Sequence, residues 1–222
     1  MFIRRALFAI IPVLFVAILS SCGGAPAVPA PPVDDTGPPP SSFEPLSPDE
    51  TKRLLAAFPA LEPPDGTSDH PVELVLFADF KCPHCREFDR TVLPELKREW
   101  IDTGRARLVY VPLPILGPEA MDAAQAALFV YDRNPDAFFP FTEALYGEND
   151  PLTSARLQEL IRKVDPEIDQ ASLPKADDRI EGAFRLAQAW GVNGVPTLFV
   201  DGEEVDPFDP DAIGRAIEEK GG

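Results

Sequence analysis

Cys82-Pro83-His84-Cys85 sets two thiols three residues apart, after the apolar run Val72-Glu73-Leu74-Val75-Leu76-Phe77 and at the opening of a helical pattern. Thiols at that separation, at the mouth of a helix, close into a disulfide and reopen without unfolding the chain around them, which is the chemistry of thiol–disulfide exchange. A cysteine at a helix N-terminus faces unpaired backbone N–H groups and the positive end of the helix dipole, and both favour thiolate over thiol. Cys82 takes that place, because Pro83 suits the first helical position and has no N–H to leave unpaired. Cys85 falls inside the first turn. The expected division of labour makes Cys82 the exposed sulfur that attacks and is attacked, and Cys85 the buried thiol that resolves the mixed disulfide. His84, between them, can donate a hydrogen bond to the Cys82 sulfur or place positive charge beside it; its plainer role is to cap the turn.

Two cysteines are also half of a zinc site. Structural zinc takes four ligands. The chain has no second cysteine pair, and its other histidine, His70, sits in a turn between Asp69 and Pro71. The expectation is therefore no metal, and no cofactor beyond the redox-active Cys82–Cys85 disulfide.

The elements that must hold this pair are legible in outline. Val72 to Phe77 reads as a central strand buried on both faces. Pro83 to Trp100 reads as a helix with Phe88, Val92, Leu96 and Trp100 on one side and a kink at Pro94. Arg107 to Val111 is a second strand, and helical periodicity then dominates over 119–133, 136–146, 154–164 and 178–190. Thr197 to Val200, the turn Asp201-Gly202 and Glu203 to Val205 form a hairpin, and Asp211 to Glu219 a closing amphipathic helix. Upstream, Ser47-Pro48-Asp49-Glu50 predicts a helix start, with Ser47 as N-cap and Glu50 completing a capping box. Leu54, Leu55 and Phe58 are its apolar face, and the stretch from Pro59 to Pro64 ends it.

Gly191-Val192-Asn193-Gly194-Val195-Pro196-Thr197 leads into the hairpin, and a proline at the opening of a strand is tolerated where no ladder N–H is required. Lys81-Cys82-Pro83-His84-Cys85, Leu93-Pro94-Glu95-Leu96-Lys97 and Val195-Pro196-Thr197 together resemble the DsbA-like branch of the thioredoxin superfamily, from about Val72 to the C-terminus. The resemblance implies an α/β thioredoxin fold: a central mixed sheet flanked by helices, with a helical insertion over about 117–190 between the second and third core strands. It implies that Pro196 is cis and its loop lies against the active-site disulfide, with Val195 and Pro196 offering backbone to an extended substrate. The implied activity is that of a protein thiol–disulfide oxidoreductase, an oxidase for exported polypeptides with thiols, reoxidised by a separate redox partner. Val195 and His84 lean toward the oxidase, as in the resembled family. A reductase or isomerase is the near alternative; no dimerisation region is evident, which favours a monomer. A non-catalytic binding module with a static disulfide is the alternative from another class. Many relatives place a buried glutamate six residues before the first cysteine. Here that position is Leu76, and Asp79 is expected at the exposed end of the strand. Proton transfer to Cys85 is left to Asp79, to water or to nothing.

The N-terminus reads as an address. Met1 to Arg5 is basic, Ala6 to Leu19 is apolar apart from Pro12, and small residues follow, so residues 1–21 read as an export signal. Leu19-Ser20-Ser21-Cys22 resembles the lipobox of bacterial lipoproteins, which implies a diacylglyceryl group on Cys22 and attachment to a lipid bilayer. An ordinary secretory signal with an incidental cysteine is the alternative. With Cys22 in a thioether, the three cysteines reduce to the Cys82–Cys85 pair. Residues 22–48 are a proline-rich linker, extended and unable to bury a core, ahead of a domain over 49–222. A Pro-x-x-P recognition ligand is the other reading of that stretch. The compartment expected is extracytoplasmic, where disulfides persist. The net charge of −17 argues against nucleic acid and anionic lipid surfaces as partners.

Overall fold

The described residues of the computed structural model are 45–64, 71–168 and 176–221. Residues 1–44, with Cys22, lie outside them, as does His70.

The apolar run after Pro71 forms β2 (Val72–Ala78), and the second predicted strand forms β3 (Ala106–Pro112), parallel to it with Leu76 opposite Tyr110. β2 is central because both its edges are paired: β4 (Thr197–Val200) runs antiparallel on its other side, with Leu76 opposite Leu198. β4 turns back into β5 (Glu203–Val205) through Asp201 and Gly202, whose φ angles of 47° and 82° suit a tight two-residue hairpin. The Asp201 carboxylate accepts the Glu73 N–H at 2.9 Å, which extends the ladder past the end of β4. One strand escaped the sequence reading: β1 (Ala60–Leu61) pairs antiparallel with β3 at the far edge. Two residues between prolines carry no periodicity, so only the sheet edge beside them reveals the strand. The sheet order is β1-β3-β2-β4-β5, mixed as expected.

Helix α1 (Pro48–Leu55) starts where predicted, and Ser47 accepts the Glu50 N–H at 3.2 Å. The capping box is only half made. The Glu50 carboxylate pairs with Arg185 instead, because α1 packs beside the helix that carries that arginine. The long helix expected over 83–100 is three pieces: α2 (Pro83–Thr91), α3 (Leu93–Leu96) and a π-helical turn (Lys97–Ile101). Pro94 has no N–H for the preceding turn. The stripe of Phe88, Val92 and Leu96 stays buried across the break.

The helical block holds α4 (Pro118–Arg133), α5 (Phe138–Gly147), α6 (Ser154–Val164) and α7 (Asp178–Ala189). It falls between β3 and β4, as the predicted insertion does. Thr153 and Asp177 cap α6 and α7 by accepting the N–H groups of Arg156 and Arg179. The last helix, α8 (Pro210–Glu219), lies against the π-helical turn: a Cβ on Gly214 would stand 3.1 Å from the Trp100 ring, a tight contact that would push the ring aside by a few tenths of an ångström.

Candidate active site

Residues 79–82 leave the carboxyl end of β2 in a turn in which the Cys82 N–H donates to the Asp79 carbonyl at 3.0 Å. Cys82 is the N-cap of α2 with extended backbone (φ −78°, ψ 122°), and Pro83 is the first helical residue. That arrangement follows from local chemistry, since proline fixes its own φ in the helical range and keeps its neighbour out of it. Both cysteines are free thiols.

Their surroundings differ. Cys85 is 1% exposed, and its sulfur accepts the Asp79 N–H at 3.5 Å. Burial pushes its thiol far up, the Asp79 N–H pulls it back, and the charges of Cys82 and Asp79 push it up again. Cys82, expected to be openly exposed, is 7% exposed. The reason is the loop before β4. Its Val195–Pro196 peptide is cis, and the Val195 carbonyl accepts the Cys82 S–H at 3.4 Å. Cys82 therefore lies largely covered beside that loop rather than on an open surface.

His84 points elsewhere. Its ring is 72% exposed, 3.7 Å from the Glu87 carboxylate and edge-on to Phe208 at 6.5 Å. No hydrogen bond joins it to the Cys82 sulfur in this structure. Val195, joined to Pro196 by the cis peptide, thus meets Cys82, Cys85 is buried one turn on, and the imidazole makes no hydrogen bond to the Cys82 sulfur.

Asp79 corrects the sequence reading: it is not at an exposed strand end but 1% exposed. One carboxylate oxygen accepts the Lys81 N–H at 2.7 Å, and the other accepts the N–H groups of Ile115 and Leu116 at 2.8 and 2.9 Å. It clamps the loop after β3 to the turn that carries Cys82. Lys81 adds an ion pair to Glu119 of α4 at 2.8 Å, and that hydrogen bond is the main reason the Glu119 carboxyl is lowered. Leu76, where many relatives carry an acid, is apolar and 2% exposed.

Two features had no place in the sequence reading. The hydroxyls of Tyr110 and Tyr146 meet at 2.7 Å in the interior, with Phe80 stacked on Tyr110. Asp89, four residues after Cys85, is buried with an oxygen that has no hydrogen-bond partner. Its signal was available: an acid between Phe88 and Val92 sits on the apolar face of the helix rather than the wet one.

The thioredoxin family model matches residues 63–219. A probable disulfide bond formation protein D of Bacillus cereus is 32% identical over 166 residues, covering 70% of this chain and 76% of that protein. Among solved structures, oxidised BdbD from Bacillus subtilis superposes with a TM-score of 0.63 at 25% identity, over 75% of this chain and 94% of that one. A thioredoxin-like oxidoreductase from Silicibacter pomeroyi superposes at 0.61 with 27% identity, over 75% of this chain and 95% of that one.

Proposed function

From a chain that belongs to the DsbA-like branch of the thioredoxin superfamily and is a protein thiol–disulfide oxidoreductase, we propose an extracytoplasmic oxidase that passes a Cys82–Cys85 disulfide to the thiols of exported polypeptides. A substrate thiolate attacks the Cys82 sulfur, the Cys82–Cys85 bond breaks, and Cys85 leaves as a thiolate that takes a proton. A second substrate thiolate attacks the substrate sulfur of the mixed disulfide. It releases the oxidised product and the Cys82 thiolate. The two electrons now on the pair go to a disulfide-bearing redox partner, which restores the bond.

The observation that carries this reading is the contact of the Cys82 sulfur with the Val195 carbonyl at 3.4 Å, above a Cys85 sealed from solvent. An extended peptide laid along the Val195–Pro196 backbone brings its own sulfur to Cys82, as β-augmentation requires. In this reading Pro83 starts α2 at the reactive sulfur, and His84, when protonated, adds positive charge to the entry face. The relatives named for disulfide bond formation support the direction of exchange.

The reduction potential tests that direction: a value of about −120 mV supports an oxidase, and one of about −270 mV a reductase. Trapping tests the site. Cys85→Ser is expected to accumulate mixed disulfides with a reduced, unfolded polypeptide, visible on non-reducing gels, and Cys82→Ser to form none. A Cys82→Ser protein with undiminished activity would leave only a binding module.

A further inference from the structure

The loop that brings Val195 to Cys82 carries an Asn193-Gly194 step. Asparagine is a thermolabile residue, because the backbone nitrogen that follows it can attack its side-chain amide. The chain holds three asparagines, and their surroundings separate them. Asn134 is followed by Pro135, whose nitrogen has no hydrogen to lose, and its amide donates to Asp165 at 2.8 Å. Asn149 is followed by Asp150, whose side chain crowds the attacking nitrogen, and its oxygen accepts from Arg86 at 3.4 Å. Asn193 is followed by glycine, which has no Cβ to stand in the way.

The fold leaves that step open. Asn193 is exposed and lies between α7 and β4, outside any helix or strand. Among the described residues nothing accepts the Gly194 N–H, although the Gly194 carbonyl accepts the Thr197 hydroxyl at 2.9 Å. The space that a Cβ on Gly194 would enter is empty to 4 Å. The Asn193 amide donates to the Gly191 carbonyl at 2.8 Å. One hydrogen bond to an exposed residue restrains the amide without sealing it from water. The same bond sets the consequence of a change. With a carboxylate in place of the amide, an oxygen faces the Gly191 oxygen and no donor joins them.

We propose that Asn193 deamidates spontaneously in the folded protein and that the product slows exchange at Cys82. The Gly194 nitrogen gives its proton to hydroxide and bonds to Cγ of Asn193. The Cγ–Nδ2 bond breaks, and that nitrogen takes a proton and leaves as ammonia. Water then opens the five-membered imide at either carbonyl. It returns a hydrogen to the Gly194 nitrogen and leaves aspartate or isoaspartate, with no change of oxidation state. Both products add a negative charge two residues before Val195, and isoaspartate also lengthens the backbone there by one methylene. The charge disfavours a thiolate at Cys82. The rearranged loop draws the Val195 carbonyl away from its 3.4 Å contact with that sulfur. The slowing rests on the exchange reading of the Cys82–Cys85 pair; the deamidation stands without it.

The test ages the purified full chain in mildly alkaline buffer and maps its peptides by mass spectrometry. Asn193 is expected to gain the mass of an acid well before Asn134 and Asn149, with isoaspartate marked by enzymatic methylation of its peptide. Each sample is then reduced and assayed for adduct formation between Cys82 and glutathione disulfide. The aged wild type is expected to react about 2- to 5-fold more slowly than fresh protein, the scale of one added charge at a partly solvated site. Asn193→Gln closes no five-membered imide and is expected to keep its own starting rate through the same incubation. An Asn193 that survives as long as Asn134 and Asn149 overturns the proposal. So does an aged wild type, largely converted at Asn193, that reacts at the fresh rate. Equal slowing of Asn193→Gln assigns the loss to another residue and overturns it too. Fresh wild type that forms no adduct would instead sink the exchange reading and the slowing with it, while the peptide map still decides the deamidation.

Discussion

Two sulfurs one helical turn apart differ in what covers them. Cys85 lies inside the first turn, 1% exposed, with its thiol pushed far up by burial, and Cys82 lies against the Val195 carbonyl, 7% exposed. Native alkylation by iodoacetamide is therefore expected to label Cys82 first and to reach Cys85 only on unfolding; peptide mass mapping of a time course reads the order. Asp89 makes a separate prediction for stability. Its carboxyl titrates near 6 in the folded protein and near 3.8 in the unfolded chain, so the folded state binds more protons between those values. Stability contributed by the protonated acid is complete below the lower value and is lost as pH rises through the upper one. Asp89→Asn removes that dependence and is expected to stabilise the reduced protein at neutral pH by about 1–2 kcal/mol, after allowance for solvent screening. Urea melts at about pH 5 and pH 7.5 measure it, and a loss of stability, or an equal effect at both pH values, counts against it. The Cys82-Pro83-His84-Cys85 spacing was legible because chemistry and turn geometry are local. The degree of Asp89's burial was not, since it follows from the packing of α2 within the fold, and Glu143, whose charge acts on it, comes from α5.

At the scale of elements, the site depends on two loops leaving neighbouring parallel strands. Asp79, just beyond β2, holds the loop after β3 by two N–H groups and its own turn by a third. Asp79→Ala leaves those donors poorly paired. It is expected to lower stability by about 2–4 kcal/mol in denaturant melts, on the scale of a few charge-assisted hydrogen bonds. Strand and helix positions were largely readable, because β2 is continuously apolar and the helices keep their periodic faces. The expectation failed where a distant partner decides. β1 exists because β3 offers it an edge, and Glu50 abandons the capping box because Arg185 lies within reach. The helix expected through Trp100 divides at Thr91 and again after Leu96 because proline withholds a donor while the buried stripe still needs one face.

At the scale of the molecule, the described residues belong to one compact unit. Among the described residues no helix is long and apolar enough to cross a membrane. Attachment to a bilayer through a lipid on Cys22 is an expectation of the lipobox resemblance alone. Cells fed a labelled fatty acid are expected to transfer the label to the full chain and not to Cys22→Ser, while both keep thiol exchange; label retained by Cys22→Ser would remove the anchor from the proposal. The net charge of −17 keeps such a domain soluble and does not define its partners. The cysteine pair, the start of its helix, the strand before it and the helical insertion could be read from residue order, because each depends on residues within a turn or a period of one another. Folding alone set the Val195 carbonyl against Cys82, placed Asp79 between two loops and buried Asp89 on α2. Those contacts join residues separated by tens of positions, and burial, which alters how a thiol or carboxyl holds its proton, exists only once the chain has closed around them.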